Sequence, residues 1–433
     1  MLFRSDFPRL FLARSSQHPL RVAFSHKAEV AEGVRQLLEH LPRIVHLDLS
    51  GCDFDDQADL FSKPADRLKT LVIDARYSRT KTFAPPLLTL FSNNLPSLCS
   101  LALKTVRLDP AIRAPTVQQL HLSGLAFRTV HEFETLVTVL NAMPNLEDLE
   151  CNSLEVLIPA DKCGLIVIPR LRRLALKSNT GTHVLMSAIQ LPPESFVTCE
   201  TTFRSPEFLP LDRSRLGGLQ ELRVLKLVFA EQGACRVYAL GKESAFQGSK
   251  LYFDHRTQNI SLLLEGMLDH TEELWIQGTV RGVLVRKTFI NLVDRASFVR
   301  KIVLDLLDGK SLERIVRALI PIPETPCHLP NLQDITICNP AASFDHTLRL
   351  LRTRRGRGCP IRRLKVGRLE SLPNLAESRE SAIDKWKREG LPELQQIVNE
   401  VEILESMPQP TMESLPICHS EGNGFWRWPS WED

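Results

Sequence analysis

His121, His131, Cys151 and Cys163 fall within one stretch of the chain. Histidine and thiolate are the ligands zinc takes, usually in pairs two to four residues apart. No short pair joins any two of these four, so no metal site is expected. Arg352-Thr353-Arg354-Arg355-Gly356-Arg357-Gly358 is a second chemical signal. Such a basic run can bind nucleic acid or direct nuclear import. It also follows Leu348, Leu350 and Leu351, which begin a helix. Basic residues favour a helix C-terminus and glycines close one. The helix-end reading is preferred, and nucleic acid is not expected as a partner. There is no HExxH, no GxSxG, no phosphate-cradling glycine loop and no nucleophile paired with a base at a recognisable spacing. The chain therefore offers no catalytic residues and calls for no cofactor, and it is read as a non-enzyme.

Bulk composition narrows the class further. The 433 residues suit two or three domains or one long repeat array. Basic side chains number 54 and acidic ones 51, a net charge of +3. That balance argues against a dedicated polyanion binder. Arg4, Asp6, Arg9 and Arg14 interrupt the apolar N-terminal residues, so no signal peptide is expected. No run of about 18 apolar residues suggests a membrane span. The ten cysteines include no CxxC pair. They read as reduced thiols of a cytoplasmic or nuclear protein. The sequon Asn259-Ile260-Ser261 is then a chance match.

The organisation that must position any surface is a repeat. Leu171, Leu174, Leu176 and Asn179 fit the template L-x-x-L-x-L-x-x-N/C. Ile44, Leu47, Leu49 and Cys52 fit it as well. The frame recurs at Leu68-Leu71-Ile73, Leu98-Leu101-Leu103, Val117-Leu120-Leu122 and Leu146-Leu149-Cys151. It returns at Leu222-Leu225-Leu227, Val299-Ile302-Leu304, Leu332-Ile335-Ile337 and Ile361-Leu364-Val366, with a weaker copy at Leu274-Ile276. From Leu47 to Leu174 the second position advances by 24, 30, 19, 29 and 25 residues. Two gaps are about twice as long, and degenerate copies at 195–204 and 250–264 would fill them.

A second mark precedes many of these cores: Leu41-Pro42, Leu95-Pro96, Met143-Pro144, Ile168-Pro169 and Leu329-Pro330. Proline lacks an N–H and cannot continue a helix, so it divides a helical arm from an extended one. The arms themselves carry helical spacing, at Val30-Val34-Leu37-Leu38, at Phe133-Leu136-Val137-Leu140 and at Leu312-Ile315-Val316-Leu319. A single unit cannot bury its own apolar face, so units must stack. The expected fold is α/β: a leucine-rich-repeat solenoid with a curved parallel sheet on the concave side and helices outside. Residues 1–40 would form an N-terminal capping strand, helix and linker, and 41–370 the solenoid. Its section 180–270 is irregular, with a strand pair suggested at Val237–Leu240 and Leu251–Phe253. Residues 371–405 would form a C-terminal cap and 406–433 a loose Trp-containing tail.

Alternate strand residues face opposite ways. If the repeat leucines point inward, the residues between them line the concave side and could dock a protein. The candidates are His46, Asp48, Asp74, His121, Asp148, Glu150, Arg173, Lys177, Trp275, Asp334, Arg363 and Lys365. An exposed Trp275 would suit a binding hot spot. The reading favoured is that it packs under the degenerate region from 230 to 265.

The opening segment joins this pattern. Phe11-Leu12-Ala13-Arg14-Ser15, then Pro19-Leu20-Arg21-Val22, lead to Leu37-Leu38-Glu39-His40-Leu41-Pro42-Arg43-Ile44 and Leu47-Asp48-Leu49. Together with Glu393–Leu404 and the ending WRWPSWED, this resembles the fungal F-box/leucine-rich-repeat family. The resemblance implies a substrate-recognition part of a cullin-RING ubiquitin ligase. The F-box signature, with its Leu-Pro start, Val-Cys pair and closing Trp, is absent here. A Skp-type adaptor is expected as a partner only if an F-box exists upstream of this chain. The alternative is a free-standing repeat scaffold or inhibitor with no ubiquitin role.

Overall fold

The computed structural model describes residues 14–24, 39–52, 61–75, 87–159, 162–177, 182–200, 215, 217–229, 234–252, 268–279, 284–306, 308–321, 326–338, 344–369, 383–384 and 386–407. The helical spacing at Val30–Leu38, the possible repeat at 253–264, the sequon and nearly all of the Trp-containing tail lie outside them. The fold is mixed α/β and dominated by parallel strands. The described residues form two compact units. One runs to Gly218 and includes Gly248–Leu251; the other comprises Leu219–Gln247 and the residues from Tyr252 onward. The division falls inside the section 180–270 that the sequence marks as irregular.

The first unit holds eight parallel strands in chain order. They are β1 (Leu20–Phe24), β2 (Ile44–Cys52), β3 (Thr70–Ala75), β4 (Ser100–Lys104), β5 (Gln119–Ser123), β6 (Asp148–Asn152), β7 (Arg173–Lys177) and β8 (Phe196–Glu200). Their register aligns the repeat. Leu47, Leu71, Leu101, Leu120, Leu149, Leu174 and Val197 sit side by side. Leu49, Ile73, Leu103, Leu122, Cys151, Leu176 and Cys199 form the next row. Every one of these residues is buried. β8 occupies the first of the two long gaps in the repeat.

Behind the sheet, three pairs of two-residue strands run parallel, at Leu87–Leu88 with Arg107–Leu108, Ala126–Phe127 with Glu155–Val156, and Ile166–Val167 with Ile189–Gln190. Helix α1 (Val130–Asn141) packs against them. It begins with a capping box: Thr129 Oγ1 accepts from Glu132 N, and the Glu132 carboxylate accepts from Thr129 N. Phe133, Leu136, Val137 and Leu140 form its buried face, as their spacing predicts. A second helix, α2, spans Thr182–Ala188.

The second unit opens with β9 (Val224–Phe229), antiparallel to β10 (Ala234–Leu240). β11 (Ala245–Tyr252) follows a short turn in which Gly241 N donates to Ser244 O. The described part of the second long gap thus holds neighbouring strands at the suggested pair, and the degenerate copy expected at 250–264 falls almost wholly outside the described residues. Parallel strands then resume on the other side of β9: β12 (Glu273–Gly278), β13 (Lys301–Leu306), β14 (Asp334–Cys338), β15 (Arg363–Leu369) and β16 (Glu400–Met407). Leu225, Leu274, Ile302, Ile335 and Leu364 share one row, and Leu227, Ile276, Leu304, Ile337 and Val366 the next. The arms here are helices: α3 (Leu284–Arg295), α4 (Gly309–Leu319), α5 (Phe344–Gly356) and α6 (Leu391–Ile397). Asp308 caps α4 by accepting from Ser311 N at 2.8 Å. α4 packs on β13 with Leu312, Ile315, Val316 and Leu319 buried.

One backbone device starts strand after strand in both units. Two successive N–H groups donate to a single carbonyl of the preceding strand. Ser100 and Cys99 share Lys69 O, Gln118 and Gln119 share Cys99 O, Glu147 and Asp148 share Gln118 O, and Arg172 and Arg173 share Glu147 O. In the second unit Glu272 and Glu273 share Arg223 O, Arg300 and Lys301 share Glu272 O, and Gln333 and Asp334 share Arg300 O. A tight turn precedes each start. Leu98 N bonds Leu95 O, Leu146 N bonds Met143 O, Leu171 N bonds Ile168 O and Leu332 N bonds Leu329 O. The proline of each Leu-Pro mark lies second in that turn, where its fixed φ is suited and its missing N–H costs nothing.

Candidate partner-recognition face

Because the repeat leucines all fall on one side, the residues between them form the other face of each unit's sheet. In the first unit this face has three rows. The first runs Arg21, His46, Thr70, Ser100, Gln119, Asp148, Arg173, Phe196. The second runs Ala23, Asp48, Val72, Ala102, His121, Glu150, Ala175, Thr198. The third runs Ser50, Asp74, Lys104, Ser123, Asn152, Lys177, Glu200. All eight candidates from this unit lie on that face, yet most are engaged sideways with a neighbour.

Arg173 donates through Nε and Nη2 to both carboxylate oxygens of Asp148, a bidentate pair across adjacent strands. The hydrogen bond and charge of Asp148 push the Arg173 guanidinium above its ordinary range despite partial burial. Glu150 lies between His121, whose Nδ1 is 3.3 Å away, and Lys177, whose Nζ is 3.2 Å away. Burial works to raise the Glu150 carboxyl. The hydrogen bond and charge of His121, then the charge and hydrogen bond of Lys177, outweigh it and hold the carboxyl below its usual range. Asp148 and Glu150 are only 4% and 3% exposed, so neither is the open docking group that the sequence pattern suggests. Lys104 Nζ meets Asp74 at 2.9 Å, and Ser50 Oγ donates to Asp48 at 2.5 Å. Desolvation pulls the His46 imidazole below its ordinary value; Asp48 pushes it up and Arg21 down.

The second unit's face also has three rows. The first is Val224, Glu273, Lys301, Asp334, Arg363, Glu400, and the second Lys226, Trp275, Val303, Thr336, Lys365, Glu402. The third is Val228, Gln277, Asp305, Cys338, Gly367, Leu404. Trp275 lies on this face, so the alternation is in register. It is nevertheless buried, at 6% exposure, against Val303 and Cys338 with Val224 and Leu404 beside them. Its described neighbours are intervening residues of β9 and of the later strands β13, β14 and β16, while residues 253–265 of the degenerate region lie outside the described residues. Its Nε1 donates to Glu273 Oε1 at 2.7 Å. The Lys226 and Lys301 ammoniums stand 5.9 and 5.7 Å from its ring centroid, within cation–π range. Lys301 Nζ also meets Glu273 at 2.6 Å. Gln277 donates to Asp305 at 2.9 Å, and burial pushes the Asp305 carboxyl up.

Asp334 receives both Arg363 Nε at 3.1 Å and Nη2 at 2.6 Å, and Lys365 Nζ meets Glu402 at 3.1 Å. The Arg363 side chain is 61% exposed and that of Lys365 39%, which leaves this edge open. Lys226, Lys301, Val303, Asp305 and Leu404 were not among the sequence candidates. The period-two rule would have found Lys301, Val303 and Asp305, which flank Ile302 and Leu304. The role of Leu404 has no such signal, because it depends on Gly367 having no side chain between Leu404 and Cys338.

The basic run is absorbed by the fold. Arg352 pairs with Glu393, Arg355 donates to Gln396 O, and the fully buried Arg354 donates to His328 O at 2.7 Å and Leu329 O at 2.8 Å. Among the described residues, no three His, Cys, Asp or Glu side chains are gathered as a metal-ligand set. No described helix is long and apolar enough to cross a membrane. No family model matches the chain. No curated protein matches it either.

Proposed function

We propose that the chain is a leucine-rich-repeat solenoid acting as a non-enzymatic protein-recognition module. It engages a protein through the sheet face that carries the intervening residues. The role follows the resemblance to F-box/leucine-rich-repeat proteins: it is the substrate-holding part of a cullin-RING ubiquitin ligase, present in the cytoplasm or nucleus. One observation supports this reading above others. Strand after strand presents a different set of polar and charged side chains in strict register, while the opposite face is uniformly apolar and buried. Repeat arrays use such a face as an extended binding surface. Many of the described charges on the face pair with a neighbour one strand away, which suits a surface built for recognition. The Arg363 and Lys365 edge is an accessible charged portion. An acidic segment of a partner would compete there with Asp334 and Glu402 for the same cations.

The test is affinity purification of the longest natural form, followed by mass spectrometry. Recovery of a Skp-type adaptor and a cullin is the expected result, and their absence removes the ligase reading. The double variant Arg363→Glu/Lys365→Glu should lose the recovered substrate while keeping the wild-type circular dichroism. Undiminished recovery places docking elsewhere.

A further inference from the structure

The second unit ends in a strand with an open side. β16 pairs in parallel with β15, and among the described residues no strand lies beyond it. Glu400 N donates to Arg362 O at 3.0 Å. Main-chain groups alternate between the two sides of a parallel strand. Glu400, Glu402 and Leu404 therefore face β15, while Val401 and Ile403 turn their N–H and C=O groups outward. The Val401 and Ile403 side chains continue the apolar row of Leu364 and Val366. Those two are 1% and 0% exposed, whereas Val401 and Ile403 are only half-buried, although α6 packs against β16. The apolar row loses its cover where the strands end.

The charges on the opposite face of this strand are also incomplete. From β12 to β16, charges meet opposite charges on adjacent strands: Lys301 with Glu273, Arg363 with Asp334, and Lys365 with Glu402. Glu400 lies beside Arg363 in register, but the Arg363 fork is turned to Asp334. Glu400 is exposed and makes no ion pair among the described residues, and the Glu402 side chain is still 49% exposed. A second β16 would set carboxylates against carboxylates, and like charges across strands are destabilising. The next strand that fits carries two cations two residues apart, with aliphatic residues between and beside them.

We propose that the outer edge of β16 is a docking surface that takes an extended basic segment of a partner protein as one more strand. The segment bonds the outward N–H and C=O groups of Val401 and Ile403. Two of its lysine or arginine side chains lie beside Glu400 and Glu402, and its aliphatic residues cover Val401 and Ile403. Strand addition of this kind draws affinity from the main chain and selectivity from alternate side chains. An exposed edge is otherwise open to unselective pairing, and the two carboxylates restrict which strands can add. The edge selects the charge opposite to that favoured at Arg363 and Lys365, so the proposal does not rest on the reading of that face.

The probe is a fluorescein-labelled peptide of alternating lysine and valine, titrated into the full chain and followed by anisotropy. Saturable binding that weakens with salt is expected, and a glutamate–valine peptide should not bind. Two further peptides are N-methylated on the main chain, one at its lysines and one at its valines. A parallel added strand turns its lysine N–H groups to β16 and an antiparallel one its valine N–H groups. One of the two peptides should therefore lose binding and report the direction; equal affinity of both reduces the contact to charge and overturns the proposal. Glu400→Lys/Glu402→Lys should weaken binding by about tenfold or more, and unchanged affinity overturns it too. Amide exchange on the unaltered chain needs no variant. The Val401 and Ile403 amides should exchange fast in the chain alone and slowly with the lysine–valine peptide. Slow exchange in the chain alone means that residues 408–433 or a second copy already pair with this edge, and overturns the proposal.

Discussion

The open faces of the two units are built on the same strand frame and filled differently. In the first unit the centre is ionic: Asp148 and Glu150 are nearly inaccessible and are clasped by Arg173, His121 and Lys177. In the second unit the centre is apolar: Trp275, Val303 and Cys338 pack together, and the charges stand around them. The back layers differ too, with two-residue strand pairs and α1 in the first unit against the row α3 to α6 in the second. A parallel ladder with a fixed register therefore tolerates either filling, because its own apolar rows lie on the opposite side. The ionic centre depends on every charge retaining its partner. The apolar centre depends on shape and is less sensitive to pH and salt.

The largest test of that contrast is Trp275→Ala. Truncating a buried aromatic costs about 3–5 kcal/mol, and here it also strips the ring from Lys226 and Lys301. Urea unfolding should show the loss with little dependence on salt; a loss below about 1 kcal/mol would show that the apolar centre does not hold this face together. Arg173→Met comes next. It leaves Asp148 buried without its bidentate partner. Because Arg173 is itself about half exposed, the expected cost is reduced to about 1–2 kcal/mol. Asp148→Asn in the same chain should recover part of it, and a double-mutant cycle with no coupling would dissolve the proposed pair.

Smaller still is the acid response of the first face. The Glu150 carboxyl is held down in the folded state, so its stabilisation is fully present above the ordinary carboxylate range, about pH 4.3. It is lost as pH falls through the depressed folded value. Glu150→Gln should flatten that acid limb in thermal melts, and an unaltered limb would assign the acid response to other carboxylates. The mildest variant is Lys365→Gln at the accessible edge. Its melting temperature should match the wild type, since exposed pairs contribute little. A large drop would mean that this edge is structural and not free for a partner.

The sequence disclosed the frame more readily than the surface. Leucine spacing placed the parallel strands, and Leu-Pro marks placed the turns before them, because burial and proline geometry both act locally. β8 was legible as a degenerate copy at 195–204, found from the length of the gap, since Phe196-Val197-Thr198-Cys199-Glu200 contains no leucine. The antiparallel strands β9 and β10 were missed as partners because Leu222-Leu225-Leu227 fits the parallel template equally well. Among the site residues, the alternation correctly placed Asp148, Glu150 and Trp275 on the non-leucine face. It did not disclose that they would be covered. That depends on the neighbours one strand away, some 25 to 30 residues along the chain, and no local pattern carries this information.

The shared carbonyl at the start of each strand has a consequence for how such a molecule can change. It sets the step from strand to strand through main-chain atoms alone, so the step is indifferent to side-chain identity and to the length of the arm behind it. Between Leu71 and Leu120 one arm adds 30 residues and the next only 19, yet the strands remain in register. The arms are thus natural places for grafting or lengthening, while on the face only the exposed positions, such as Arg363, can change without disturbing a buried partner. A lineage or a designer could lengthen an arm without disturbing the strand-to-strand step.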